Sequence, residues 1–296
     1  MLIEHIDPRN VDDTIIRIQG LAQPLTLAHI TDSHVCEADG RDPDAWDAAE
    51  TIGGKFRNYS PTHESMRTVF QQVLRGCLAA RPDCFLLTGD MVHFPTWANI
   101  DAFAEDLAAT GVPYLYTPGN HDWQYPGKPW TDATRQEYYG RFSRLTCGSP
   151  AQQVREVGGV LLIAIDNSMY QTSPAQLAFL RQQLASGKPC LLFMHIPVYI
   201  PSLLPDVVQR WKAPILMACP EGWTDETRAH WGVPGIDPGT QSFHDLIMDG
   251  QASNLAGLFC GHIHIPHADE LRTGCWQYTP KPGYLAGWRV IRLQPG

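Results

Sequence analysis

Six short apolar runs, at 25–30, 84–87, 113–116, 160–165, 190–194 and 255–260, punctuate the chain at the length of buried strands. Between them the apolar positions switch to helical spacing. Ser60-Pro61 supplies an N-cap followed by a proline at the first helical position. Met66, Val69, Phe70, Val73, Leu74, Cys77 and Leu78 then form one apolar stripe that ends before Pro82. Further helices are expected over about 100–109, after Ser173-Pro174 with Leu177, Leu180 and Leu184 inward, and near 243–248. Gly158-Gly159, between 153–157 and 160–165, marks a hairpin, and strands are expected around 276–278 and 288–293. Strands alternating with helices, then strands without them, predict a layered α/β protein with a mixed sheet.

Two stretches fit neither period. Residues 35–59 read as a polar loop, and 199–239 holds six prolines with Trp211, Trp223 and Trp231. Irregular segments of this length are either binding loops or surface excursions, and three tryptophans make the second too apolar for a linker.

Polar clusters follow five of the apolar runs: Asp32 and His34, Asp90, Asn120 and His121, His195, and His262 with His264. Ligands of α/β sheets gather outside the carboxyl ends of strands, so these clusters can converge in one crevice. A single strand-end Asp or His is usually a cap; five in succession point to a site. Four imidazoles, two carboxylates and one amide exceed the four positions of a structural zinc site. They suit two cations sharing one carboxylate, and the ligand types favour Zn, Fe, Mn, Co or Ni over Ca or Mg. Two such ions can hold a hydroxide between them and clamp a phosphoryl group. The chain has neither a G-x-S-x-G nucleophile elbow nor a G-x-x-x-x-G-K-[ST] phosphate loop.

In this order, Asp32-Ser33-His34, Gly89-Asp90, Gly119-Asn120-His121-Asp122, His195 and Gly261-His262-Ile263-His264 resemble the five motifs of the calcineurin-like metallophosphoesterase superfamily. The resemblance spans residues 25–265 and implies a four-layer αββα sandwich of two mixed β-sheets flanked by helices. It implies two divalent or trivalent transition-metal ions, with Mn, Fe or Zn foremost. Asp32, His34, Asp90 and His264 would hold the first ion, and Asn120, His195 and His262 would complete the second, with Asp90 bridging. His121 corresponds to the histidine outside the ligand set that protonates the leaving group. The implied reaction is in-line attack of a metal-bridging hydroxide on phosphorus.

Departures narrow the branch. Asp122 stands where Ser/Thr protein phosphatases carry glutamate, and His93 stands where purple acid phosphatases carry a ligand tyrosine. The layout, including Asp166-Asn167-Ser168, is most similar to the cyclic-nucleotide and glycerophosphodiester phosphodiesterases. A small-molecule phosphodiesterase is therefore expected. The competing readings are a phosphomonoesterase and a catalytically silent binding module, although a silent module should have lost ligands or His121. His93 and Trp123 are candidate substrate contacts. Trp97, Tyr125 and Trp130 could wall a pocket, Arg57 and Lys128 could meet phosphate, and Cys36 could line the site.

Composition adds limits. The 296 residues, 44% apolar and 18% charged, suit a single domain over 1–296 with loop insertions near 35–59 and 199–239. A net charge of −9 argues against specific nucleic-acid binding and leaves a small phosphoester substrate open. No membrane span or secretory signal is apparent, and eight cysteines without a close CxxC pair suit a cytoplasmic chain.

Overall fold

The computed structural model describes every residue except Cys147 and Pro234, so one of the eight cysteines and one of the loop prolines read above lie outside the described residues. Strands β1 (Ile3–Ile6), β2 (Asp13–Ile18), β3 (Leu25–Ile30), β4 (Cys84–Thr88) and β5 (Tyr114–Thr117) come from the first part of the chain. Strands β6 (Gln152–Val157), β7 (Val160–Ile165), β8 (Cys190–Phe193), β9 (Leu255–Phe259), β10 (His267–Arg272) and β11 (Cys275–Thr279) follow, and β12 (Arg289–Pro295) returns to the first group. They make two six-stranded sheets, ordered β1-β2-β12-β3-β4-β5 and β10-β11-β9-β8-β7-β6. Both are mixed: β3, β4 and β5 run parallel in one, and β7, β8, β9 and β11 in the other, with antiparallel strands at or near the edges.

The continuous apolar runs are explained by burial on both faces. In β3, Leu25 and Leu27 join the core between the sheets, with Leu86, Leu162, Leu191 and Phe259. Ala28 and Ile30 face the other way, packing with Phe70, Val73 and Phe103. Those last residues lie on α2 (Met66–Ala79) and α3 (Trp97–Ala108), which cover the first sheet; α1 (Trp46–Tyr59) precedes them. The short α4 (Asn120–Trp123) and α5 (Asp132–Tyr139) follow β5, while α6 (Pro174–Leu184), α7 (Leu204–Trp211), α8 (Asp225–Trp231) and α9 (Pro238–Met248) lie on the second half. Leu180, Val207 and Phe243 from this group pack on Ile163, Leu192 and Leu258 of the second sheet. The result is the four-layer αββα arrangement.

Local differences have physical causes. Ser60 does not open a helix; it closes α1, because Pro61 disfavours the helical conformation at the residue before it, and Ser60 sits at ψ 137°. The cap of α2 is Ser65, whose side chain accepts from Thr68 N–H. Residues 35–59 are not a plain loop: α1 occupies their second half, hidden from the periodicity by Gly53-Gly54 and by a face that buries only Ala49 fully. The 199–239 stretch likewise carries α7 and α8. Strands β1 and β10 escape sequence reading because both are edge strands with polar, half-exposed residues. The Gly158-Gly159 hairpin forms as expected, both residues taking positive φ (55° and 85°).

Candidate metal centre

The parallel strands β3, β4, β5, β8 and β9 release their carboxyl ends at one edge, where backbone bonds tie the loops together. Asp32 N–H donates to Gly89 O at 3.0 Å, His34 N–H to Asp90 O at 2.9 Å, and Gly261 N–H to His195 O at 2.8 Å. Five of the sequence-identified residues, Asp32, His34, Asp90, His262 and His264, hold left-handed backbone conformations with φ between 48° and 67°. Asp and His tolerate this region better than most residues, yet each such residue costs on the order of 1–3 kcal/mol. Their clustering at one edge points to function. Gly89, at φ 79°, has no room for a side chain: a Cβ would lie 2.6 Å from His195 Nδ1.

Two groups of donor atoms result, all from buried residues except the partly buried His264. Asp32, His34 and His264 offer ligand atoms within 4.8 Å of one another, and Asp90, His195 and His262 do the same. In the first, His264 Nε2 lies 3.1 Å from Asp32 Oδ1 and 3.4 Å from His34 Nε2. In the second, His195 Nε2 lies 3.3 Å from Asp90 Oδ2 and 3.1 Å from Asn120 Oδ1. Asp90 Oδ2 is also 3.9 Å from His34 Nε2, so its carboxylate stands between the groups. All seven sequence-identified ligand candidates are thus brought together.

Burial and neighbouring charge set the protonation of the cluster, neutral at His34 and His262 but charged at His195, where a cation at Nε2 would displace the proton. Burial holds the His34 and His262 imidazoles well below their ordinary value, leaving them neutral with lone pairs free. Burial would lower His195 too, but Asp90 beside it raises it to about 9. Burial alone would raise Asp90; the surrounding imidazoles, His195 first, outweigh it and keep the carboxylate ionised. His195 Nδ1 bonds Thr88 O at 2.8 Å, which turns Nε2 toward Asp90. Tyr170 Oη holds His262 Nε2 at 2.7 Å, leaving Nδ1 open. Two imidazole nitrogens facing each other beside two carboxylates, without a cation side chain between them, form a donor set that fits borderline transition metals.

His121 is partly exposed, its backbone N–H donating to Asp90 Oδ1 at 2.8 Å. Its Nδ1 is buried without a partner, and burial lowers its pKa. His93 stacks on the His121 ring at 4.3 Å and places Nδ1 3.1 Å from His34 Nδ1.

Some residues were missed. The buried Asp122 carboxylate accepts from Asp90 N–H at 2.8 Å, Val92 N–H at 2.9 Å and Gly119 N–H at 2.6 Å. Asn167 Oδ1 accepts from His195 N–H and Ile196 N–H, and its amide donates to Ile196 O. Their signals were the fourth residue of Gly119-Asn120-His121-Asp122 and the Asp166-Asn167-Ser168 turn; Tyr170 had none.

A cavity of about 300 Å³ opens beside Asn120 and His121, and Trp123 and Trp130 line it as expected, with Trp231 from α8. Trp97 and Tyr125 do not; Trp97 lies under Arg141, and Tyr125 stacks on Tyr138. Trp211 covers His264 instead, ring centroids 5.3 Å apart. Lys128 pairs with Glu137 and Arg57 is exposed. Cys36 donates to Ala49 O, and burial pushes its thiol up to about 12, so it is inert. The seven described cysteines are all free. Among the described residues no helix is long and apolar enough to cross a membrane.

The fold resembles that of a dimetal phosphatase from Danio rerio, with a TM-score of 0.51, 11% identity and 88% of each chain covered. It also resembles purple acid phosphatase PPD1 from yellow lupin (Lupinus luteus) seeds, with a TM-score of 0.51, 14% identity, and 91% of this chain and 46% of that one covered. A protein of Synechococcus sp. (strain WH7803) described as "Probable cyclic nucleotide phosphodiesterase" is 37% identical over 65 residues. That match spans 20% of this chain and 24% of the relative. The calcineurin-like phosphoesterase profile matches residues 25–266, which contain the five strand ends that carry the candidate ligands. By that match, and by the two-sheet fold that accompanies it, the chain belongs to the calcineurin-like phosphoesterase family.

Proposed function

We propose that this chain is a dinuclear metal-dependent hydrolase of small phosphodiesters. The observation that carries the reading is the position of Asp90 Oδ2, 3.3 Å from His195 Nε2 and 3.9 Å from His34 Nε2, between two groups of metal-capable side chains. Asp32, His34, Asp90 and His264 would hold one cation, and Asp90, Asn120, His195 and His262 the other. Bound there, transition-metal ions supply Lewis-acid polarisation of a phosphoryl group and acidify water. Mn, Fe and Zn suit the mixed imidazole and carboxylate set.

The chain's own residues do the rest. Asp90 Oδ1 accepts the backbone N–H of His121 and so anchors the segment that carries the imidazole beside the centre. His121 would hold a proton and deliver it to the departing oxygen; burial opposes that charged form and Asp90 beside it favours it. His93 keeps His34 turned with Nε2 toward the centre and supports the His121 ring from behind. Phe56 and Tyr284, ring centroids 4.4 and 6.0 Å from His34, exclude water on that flank. Diester preference is supported by the cavity beside His121, whose described lining has no Lys or Arg for the extra charge of a monoester. The Synechococcus relative points the same way.

The test is hydrolysis of bis(4-nitrophenyl) phosphate and 4-nitrophenyl phosphate by protein loaded with Mn, Fe or Zn. The reading expects metal-dependent turnover with the diester preferred. Turnover of the monoester alone would reassign it as a phosphatase, and none with either would remove the hydrolase reading.

A further inference from the structure

The cavity beside His121 is walled by rings. Trp123, Trp130, Tyr170 and Trp231 line it, with Asn120 and His121 at its border. Trp130 meets His121 edge-on at 5.3 Å and Trp123 at 5.7 Å. The Gly232 backbone leaves a Cβ only 3.4 Å from Trp130 Cβ, which sets α8 close against Trp130. Two of the polar ring atoms are already engaged: Trp123 Nε1 donates to Ser168 Oγ at 2.9 Å, and Tyr170 Oη meets His262. Among the described residues lining the cavity there is no Lys, Arg, Asp or Glu.

We propose that this cavity receives the departing alcohol of the substrate, and that this alcohol carries a flat, uncharged ring, as aryl and nucleobase-bearing esters do. The inference rests on the phosphoesterase reading above. The group that protonates the leaving oxygen stands at the cavity's border, so the ester arm lying here is the one that leaves. Indole and phenol faces favour offset or edge-on contact with another ring. A second phosphate or a carboxylate would lose its water here with no Lys or Arg in the described lining to replace it, and an ammonium with no Asp or Glu. Aromatic walls can also hold a quaternary ammonium. Here, however, that cation would sit beside the metal centre with no carboxylate in the lining to offset it. The opposite arm needs no such fit, which suits a diester whose second alcohol stays outside.

The test compares phenyl, thymidine and ethyl esters of methyl phosphate with choline ester, in wild type and in Trp231→Ala, Trp231→Phe and Trp130→Ala. The ring esters should lose about 10-fold or more in kcat/KM beyond the ethyl ester in either alanine variant, and Trp231→Phe should restore part of it. Independently of turnover, phenol should quench wild-type indole fluorescence and choline should not. Equal losses for ring and ethyl esters, or quenching by choline but not phenol, would overturn the assignment while leaving the hydrolase reading intact. Absence of all turnover by metal-loaded wild type would overturn both, and phenol quenching would then show a ring-binding cavity without that role. Loss for phenyl but not thymidine ester restricts the occupant to aryl groups; loss for both extends it to nucleobases.

Discussion

The Asp90 carboxylate accepts the backbone N–H of His121 at 2.8 Å through Oδ1, while its Oδ2 faces His195 and His34. One side chain therefore spans the two groups of candidate ligands and also positions the proposed acid. In the proposed function metal binding and proton delivery would share an anchor, yet mutation should separate them.

His121→Ala should retain both cations and lose about 10²–10⁴ in turnover, most for poor leaving groups, because only proton delivery is removed. Asn120→Ala should instead weaken one of two cations and lower turnover for all leaving groups. Metal content measured beside a leaving-group series checks both; equal metal loss in the two variants would contradict the separation.

Asp122 is predicted to act through the backbone. Its two oxygens satisfy N–H groups of Asp90, Val92 and Gly119 in a fully buried setting. Asp122→Ala strands three donors, at about 1–3 kcal/mol each, so melting temperature and metal affinity should fall together. Asp122→Asn, with one acceptor oxygen left, should fall less. An alanine variant as stable and as metal-competent as wild type would contradict this role.

The sequence carried the ligand candidates because each sits directly after a strand buried on both faces, where apolar runs end abruptly in polar residues. It carried the central strands for the same reason. What it could not carry were contacts between distant segments: Tyr170 on His262, Asn167 on the His195 backbone, or Trp231 across from Trp130. Helix α1 was hidden by its glycines and shallow burial, and β1 and β10 by half-exposed edges. Asp122 was visible in its motif, but its three backbone bonds are formed only after β4 and β5 come side by side.

Stability should depend on pH through a histidine outside the ligand set. His29 lies between the sheets with Nε2 2.7 Å from Thr88 Oγ1, and burial, aided by Arg289, lowers it to about 3. Above pH 6.5 the ring is neutral folded and unfolded, so no stability depends on it. Below 6.5 the unfolded chain takes up a proton that the folded chain refuses until about pH 3, so stability is lost as pH falls through that window. The loss is about 1.4 kcal/mol per pH unit. His5, lowered to about 4 by burial, acts in the same direction. Urea midpoints at pH 7.5 and 5.0 should therefore converge in His29→Gln relative to wild type; an unchanged difference would contradict it.

The central claim is a pair of cations sharing Asp90, and metal stoichiometry tests it most directly. Protein purified without chelator should carry two transition-metal ions per chain by elemental analysis, and Asp90→Ala should lose affinity for both while remaining folded by circular dichroism. A wild-type content of one ion or none after loading, or a folded Asp90→Ala variant that keeps two, would contradict it.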